Sequence, residues 1–226
     1  MRVENKLYKN QGIHVISSIF TIENGIVKVL LVKRRNEPFK DYWALVGGAL
    51  YNNESIEDGI KREIFEKSGL EDVKLHEVGV FDELGRTPTI NMRMIAVTYL
   101  GLVDSSKVQI IKENVNTKDV AWFNIKSVPN LAFGHNEILN KALEKLKDLI
   151  VLSDILKALL PNEFTMPELQ KIYEGILDKT FDRRNFRKKI LSLIIVDDTN
   201  KEVSINGKKP SKLYKFKDKI EIKKVF

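Results

Sequence analysis

Glu63 and Glu66 stand three residues apart in the segment KREIFEKSGL, residues 61–70. On a helix the two carboxylates share a face, and Lys67, four residues after Glu63, lies on the same side. Carboxylates grouped this way suit a hard cation such as Mg²⁺, which takes carboxylate oxygens and bridges substrate phosphates. The ion then neutralises charge that grows as a diphosphate is attacked. Lys67 stands where a third carboxylate would be most useful, so one ligand is lost and a positive charge is added. Two readings stay open. Lys67 is a surface lysine, and Glu63 and Glu66 bind a metal with help from Glu54 or a loop carboxylate. Alternatively its ammonium pairs with Glu63 and partly replaces the metal's charge, leaving a pocket that holds a diphosphate but cleaves it poorly. The second is favoured, because metal affinity follows ligand charge.

A second group of residues suits a different chemistry. In FDRRNFRKKILSL, residues 181–193, Phe186, Ile190 and Leu193 fall on one helical face, while Arg183, Arg184, Asn185, Arg187 and Lys188 lie on or near the other. Arginine and asparagine can read guanine and adenine edges, and the lysines of GKKPSKLYKF (Lys208, Lys209, Lys212) suit phosphates.

The elements that must position these residues are legible from periodicity. IHVISSIFTI and IVKVLLVKRR, separated by Glu-Asn-Gly, read as a hairpin. YWALVGGAL is a short strand running into glycines. SIEDGIKREIFEKS reads as a helix capped by Ser55, with Asp58 three residues on, and stopped by Gly69. VKLHEVGVFDEL and RMIAVTYLGLV read as strands around the polar loop GRTPTIN, VAWFNI as another strand, and residues 136–160 as a long amphipathic stretch. Thr165 and Glu168 have the spacing of a capping box, with Pro167 in the first turn, opening the helix MPELQKIYEGIL. The basic helix follows a short turn, and the chain ends in an alternating pattern that predicts a β-hairpin with a lysine-rich tip.

Charge supports a division near residue 150. Residues 151–226 hold 17 Lys and Arg against 11 Asp and Glu, whereas the first 150 hold 21 against 20. A neutral domain joined to a basic one is the footprint of a nucleic-acid-binding module. The absence of cysteine excludes disulfides and thiolate metal sites, and His14, His76 and His135 are too dispersed to suggest a zinc site. No apolar run approaches the ~20 residues of a membrane span, and MRVENKLYKN lacks the apolar segment of a signal peptide, so a cytoplasmic protein with no membrane partner is expected.

From Gly48 the chain gives five residues, Glu54, seven residues, then Arg62-Glu63-Ile64-x-Glu66-Lys67-x-Gly69-Leu70. This resembles the Nudix box at every position but one, Lys67 standing for the last glutamate, and WALVGG extends the match. The resemblance implies an α/β (α+β) Nudix sandwich, α/β/α with a mixed sheet. It also implies Glu63 and Glu66 as catalytic residues and as ligands of any Mg²⁺, in a degenerate box with Arg62 and Lys67. A residue beyond the box, Glu83 or Glu113, would serve as general base or further ligand. Gly48, Glu54, Arg34, Arg35, Arg86 and Arg93 are candidates for holding an effector, since guanidinium matches diphosphate geometry.

Helix, short turn, basic helix and hairpin resemble a winged helix-turn-helix. Taken with LAFGH before the long helix, nearly the whole chain resembles the Nudix-related transcriptional regulators of the NrtR type, including their arabinose-responsive relatives. The resemblance implies a sensing domain over 1–150 and a DNA-binding domain over 151–226. It further implies a homodimeric repressor on a palindromic operator, released by ADP-ribose or, in other branches, by a sugar. GRTPTINMR departs from the usual Gly-Arg-Asp-Pro-Arg-Gly-Arg, lacking the acidic residue and one arginine, which leaves the effector open. The competing reading is an active Mg²⁺-dependent Nudix hydrolase acting on ADP-ribose or another nucleoside diphosphate derivative.

Overall fold

Strand β1 (Gln11–Glu23) is the spine of the sheet because it is apolar on both faces. Its side chains alternate between two cores. Val15 and Ile19 pack in one cluster with Ile60 and Ile64 of helix α1 (Ile56–Ser68). Ile16 and Phe20 pack in the other with Ile138, Leu139 and Ala142 of helix α2 (His135–Ile150). The result is the expected sandwich of helix, sheet and helix. The computed structural model describes residues 11–23, 25–82, 93–106, 108–113, 115–150, 153–204 and 210–218. The loop carrying Glu83 and Arg86, Asn24 of the hairpin turn, and the wing-tip residues Lys208 and Lys209 lie outside them.

The sheet also contains β2 (Ile26–Arg34), β3 (Trp43–Ala44), β4 (Val46–Ala49), β5 (Lys74–Phe81), β6 (Arg93–Leu102) and β7 (Thr117–Asn124). Its order is β3-β2-β1-β6-β5, with β4 beside β1 and β7 beside β2. β1 runs parallel to β6 and antiparallel to β2 and β4, so the sheet is mixed. The pairing of Val15 with Gly48 and Ile16 with Gly47 fixes the glycine strand under α1. Helix α1 has the predicted ends. The Ser55 hydroxyl accepts from the Asp58 N–H at 3.1 Å, and Gly69 closes the helix at φ 72°.

The amphipathic stretch over 136–160 is not one helix: α2 ends at Ile150 and residues Ser153–Ala158 form a 3-10 helix. Leu156, Leu159 and Leu160 are buried, and they carry the α2 core onward into that of the C-terminal elements. These are β8 (Phe164–Thr165), α3 (Met166–Leu177), α4 (Arg183–Ser192), β9 (Val196–Val203) and β10 (Ser211–Phe216). The Thr165–Glu168 capping box is formed, and Asp182 caps α4 by accepting from the Asn185 N–H at 2.9 Å. β10 lies between β8 and β9, giving the helix pair its antiparallel wing. Among the described residues no helix is long and apolar enough to cross a membrane.

The two halves meet where the β1–β2 turn touches α3. A side chain at Gly175 would place its Cβ 2.3 Å from the Gly25 carbonyl oxygen, so glycine there permits backbone to approach backbone. Beside it, Lys126 Nζ pairs with Asp178 Oδ1 at 2.6 Å. Gly175→Ala is therefore expected to destabilise the full chain by ~1–3 kcal/mol, the usual cost of overpacking. Equal thermal midpoints for variant and wild type would contradict this contact.

Candidate functional site

Arg62 organises the carboxylates of the box. Its Nε and Nη2 reach the two oxygens of Glu54 at 2.8 and 2.7 Å, a bidentate fork. Its Nη1 donates to Glu63 Oε1 at 2.8 Å and to Glu66 Oε2 at 3.3 Å, and Nη2 also reaches the Ala49 carbonyl at 3.0 Å. The Tyr51 ring lies 3.9 Å from the guanidinium carbon, adding a cation–π contact. The Tyr51 N–H donates to Glu54 Oε1 at 2.8 Å. The Arg62 hydrogen bonds hold the Glu54 carboxyl down at about 2, and the same contacts push the Arg62 guanidinium up.

Lys67 reaches inward. Its ammonium pairs with Glu63 Oε2 at 2.9 Å and donates to the Gly47 carbonyl. Glu63 is 5% exposed, and Gly48 must lack a side chain because a Cβ would sit 2.3 Å from Glu63 Oε1. The reading of Lys67 as an ordinary surface residue is not what its ion pair and its carbonyl contact describe.

The charges have a simple consequence. Glu54, Glu63 and Glu66 face Arg62 and Lys67, leaving one net negative charge. A glutamate at 67 would leave three, and a bound dication would bring that back to one. Lys67 thus supplies to the helix the charge change a metal would supply. Both Glu63 oxygens and both Glu54 oxygens are held by the chain's own cations, and an ion approaching Glu63 Oε2 or the Gly47 carbonyl meets the Lys67 ammonium. Among the described residues the carboxylates of the box, each already engaged by Arg62 or Lys67, do not fit a Mg²⁺ site, and no group of three or more His, Asp or Glu could hold a metal.

The other arginines are dispersed among partners of their own. Arg35 pairs with Glu113 at 2.5 Å and also donates to the Thr117 carbonyl, so two candidates from the sequence meet each other. Arg93 pairs with Asp82, its Nε at 3.0 Å from Oδ1. Arg34 donates to the Pro38 carbonyl and lies 4.6 Å from the centroid of the Phe133 ring. Tyr51 and the Gly47 carbonyl also belong to the site, and their only signal in the sequence is adjacency to the box, in VGGALY. His135 also acquires a job: buried at the start of α2, its Nδ1 accepts from the Leu45 N–H at 3.1 Å and fixes the β3–β4 junction.

On α4 the helical face is as expected, with Phe186 and Ile190 buried. Arg183, Arg184 and Arg187 line a cleft of about 640 Å³ with Lys212 and Tyr214, whereas Asn185 and Lys188 are exposed elsewhere on the helix. Among the described residues no carboxylate lies within ion-pair distance of those three arginines. Lys212 pairs with Asp198 at 2.7 Å.

The Lys67 contact is open to test. Lys67→Ala leaves Glu63 Oε2 buried beside no cation of its own, though Arg62 still holds Oε1. The expected loss is ~2–3 kcal/mol in denaturant unfolding, below the ~3–5 of a fully isolated buried pair. Lys67→Glu is expected to melt higher with millimolar Mg²⁺ than without, while the wild type melts identically in both. A wild type stabilised by Mg²⁺ would contradict the arrangement.

Residues 13–145 match the family model of the NUDIX domain, and residues 157–216 that of the NrtR DNA-binding winged helix domain. An ADP-ribose-responsive transcriptional repressor of Acinetobacter baylyi is 29% identical over 213 residues, 92% of this chain and 83% of the relative. The crystal structure of Shewanella oneidensis NrtR with a 27-mer DNA superposes with a TM-score of 0.76 at 28% identity, covering 91% of this chain and 93% of that one. The NUDIX domain of the same protein, crystallised with ADP-ribose, gives a TM-score of 0.57 at 28% identity, over 64% of this chain and 94% of the other. The box on α1, the mixed sheet and a domain match spanning more than half of the residues lead to one conclusion: the chain belongs to the NUDIX family and carries an NrtR-type winged helix behind its NUDIX domain.

Proposed function

We propose that the protein is a transcriptional repressor that binds a double-stranded DNA operator through residues 151–226. Residues 1–150 sense ADP-ribose or a related nucleotide or sugar metabolite. The observation that carries the reading is one pairing: a NUDIX helix whose buried Glu63 is ion-paired by its own Lys67, followed by a helix whose arginines line a cleft without carboxylates. The similarity to an ADP-ribose-responsive repressor, to NrtR on DNA and to a NUDIX domain holding ADP-ribose supports the partner and the effector class. In this reading the sensor needs no Mg²⁺, and Glu63 and Glu66 shape the ligand site with Arg62 and Lys67 rather than cleaving the ligand. The protein acts as a homodimer in the cytoplasm, matching a palindromic operator. The effector releases DNA only if it binds the DNA-free arrangement more tightly than the DNA-bound one.

A mobility-shift assay on the DNA upstream of its own coding sequence tests the proposal. At low salt a retarded complex is expected, lost when ADP-ribose is added and weakened about tenfold by Arg184→Ala or Arg187→Ala. If no fragment is retarded, or both variants bind as the wild type does, the repressor reading fails. Rapid Mg²⁺-dependent cleavage of the added ADP-ribose would favour the hydrolase instead.

A further inference from the structure

We infer that Tyr214 is a positioning residue for sequence readout, holding Arg187 as the base-reading arginine of α4 while Arg183 and Arg184 meet backbone phosphates. The inference rests on the DNA-binding reading above and goes beyond it by assigning different tasks to three arginines that sequence alone treats alike.

The three differ in restraint. Among the described residues, no hydrogen bond holds the guanidinium of Arg183 or Arg184, whereas Arg187 Nη2 donates to the Tyr214 hydroxyl at 3.1 Å. Tyr214 is itself immobilised. It is 3% exposed, its ring sits in the same core as Phe186 and Ile190, and its strand is paired on both sides, with Phe164 and with Asp198. A hydroxyl on so fixed a ring is a fixed acceptor. One guanidinium nitrogen is engaged, and the remaining N–H donors stay available for a bidentate contact of the kind that reads guanine O6 and N7. Ordering the side chain in advance removes entropy that binding would otherwise have to overcome.

A nearby acid would normally spoil this arrangement by capturing the arginine. Asp198 is the cross-strand partner of Tyr214, yet its Oδ2 is taken by Lys212 Nζ at 2.7 Å. Lys212, expected from the sequence to meet phosphate, and not Arg187, is therefore the ion-pair partner of Asp198. The unrestrained Arg183 and Arg184, at the start of α4 and on the same cleft, have the reach and freedom that contact with a flexible phosphate chain requires.

The test uses the full chain and the duplex that the wild type enriches from a random library, compared with an unselected duplex. Tyr214→Phe keeps the ring and removes only the hydroxyl. The expected result is an unchanged thermal midpoint and a ~3–10-fold loss of affinity for the enriched duplex. A smaller loss is expected for the unselected one, with no change in salt dependence. Arg187→Lys keeps the charge but loses the fork, and is expected to reduce the preference for the enriched duplex by ~10-fold or more. Arg184→Gln is expected to weaken both duplexes alike and to reduce the salt slope by ~1. The inference is overturned if Tyr214→Phe retains the wild-type preference or weakens both duplexes equally. If that variant fails to fold, an unchanged preference in Arg187→Lys overturns it. A wild type that enriches no duplex overturns the DNA-binding reading itself, a result distinguishable from failure of the Tyr214 role alone.

Discussion

A carboxylate removed from water must be met by positive charge, and Glu63 is met twice, by Arg62 on one oxygen and Lys67 on the other. The surrounding design follows from that requirement. Gly48 is glycine because the Glu63 carboxylate occupies the space of its side chain, and Glu54 and Glu66 share the charge of Arg62. The lysine also reaches the Gly47 carbonyl, tying α1 to β4 and through β4 to the central strand β1. In an enzyme of this family a metal would bring charge to the same helix. Here it is covalently attached to the chain, and an ammonium cannot be exchanged with solvent as an ion can.

That central strand connects the sensor to the rest of the molecule. β1 pairs with β4 over residues 14–17 and ends at the turn whose Gly25 touches Gly175 of α3. The opposite face of the sheet shares its core with α2, and the same core continues through Leu156, Leu159 and Leu160 to Tyr173, Phe186 and Tyr214. The winged helix is therefore packed on the sensor through buried apolar surface as well as through backbone contact at the hairpin. Helix α1 packs on β1, Gly25 beyond β1 meets α3, and α3 carries Gln170 and Glu174. These hold the start of the α4 turn through the backbone of Phe181, with distances of 2.8 and 2.9 Å.

Much of this was legible in the sequence because it rests on local rules. Periodicity and caps located α1, α3 and α4, and the spacing of the box placed Glu63, Glu66 and Lys67 on one face. What was not legible depends on contacts distant in sequence. Nothing local says that the α-helix stops at Ile150 and that Ser153–Ala158 are 3-10, since Leu156, Leu159 and Leu160 join a core whose other members are distant in sequence. The arginines suited to a diphosphate read alike in sequence, yet Arg35 meets Glu113 across 78 positions and Arg93 meets Asp82. The link from Arg187 to Tyr214 spans 27 positions and could not be inferred from helical spacing.

In the proposed reading the sensor supplies its own cation and so holds its ligand without cutting it. Calorimetric titration of ADP-ribose into the full chain, first with a chelator and then with Mg²⁺, tests it most directly, with the ligand followed by phosphorus NMR. The same affinity in both buffers and an intact diphosphate throughout are expected. Binding that appears only with Mg²⁺, or a diphosphate signal replaced by phosphomonoesters, would contradict it.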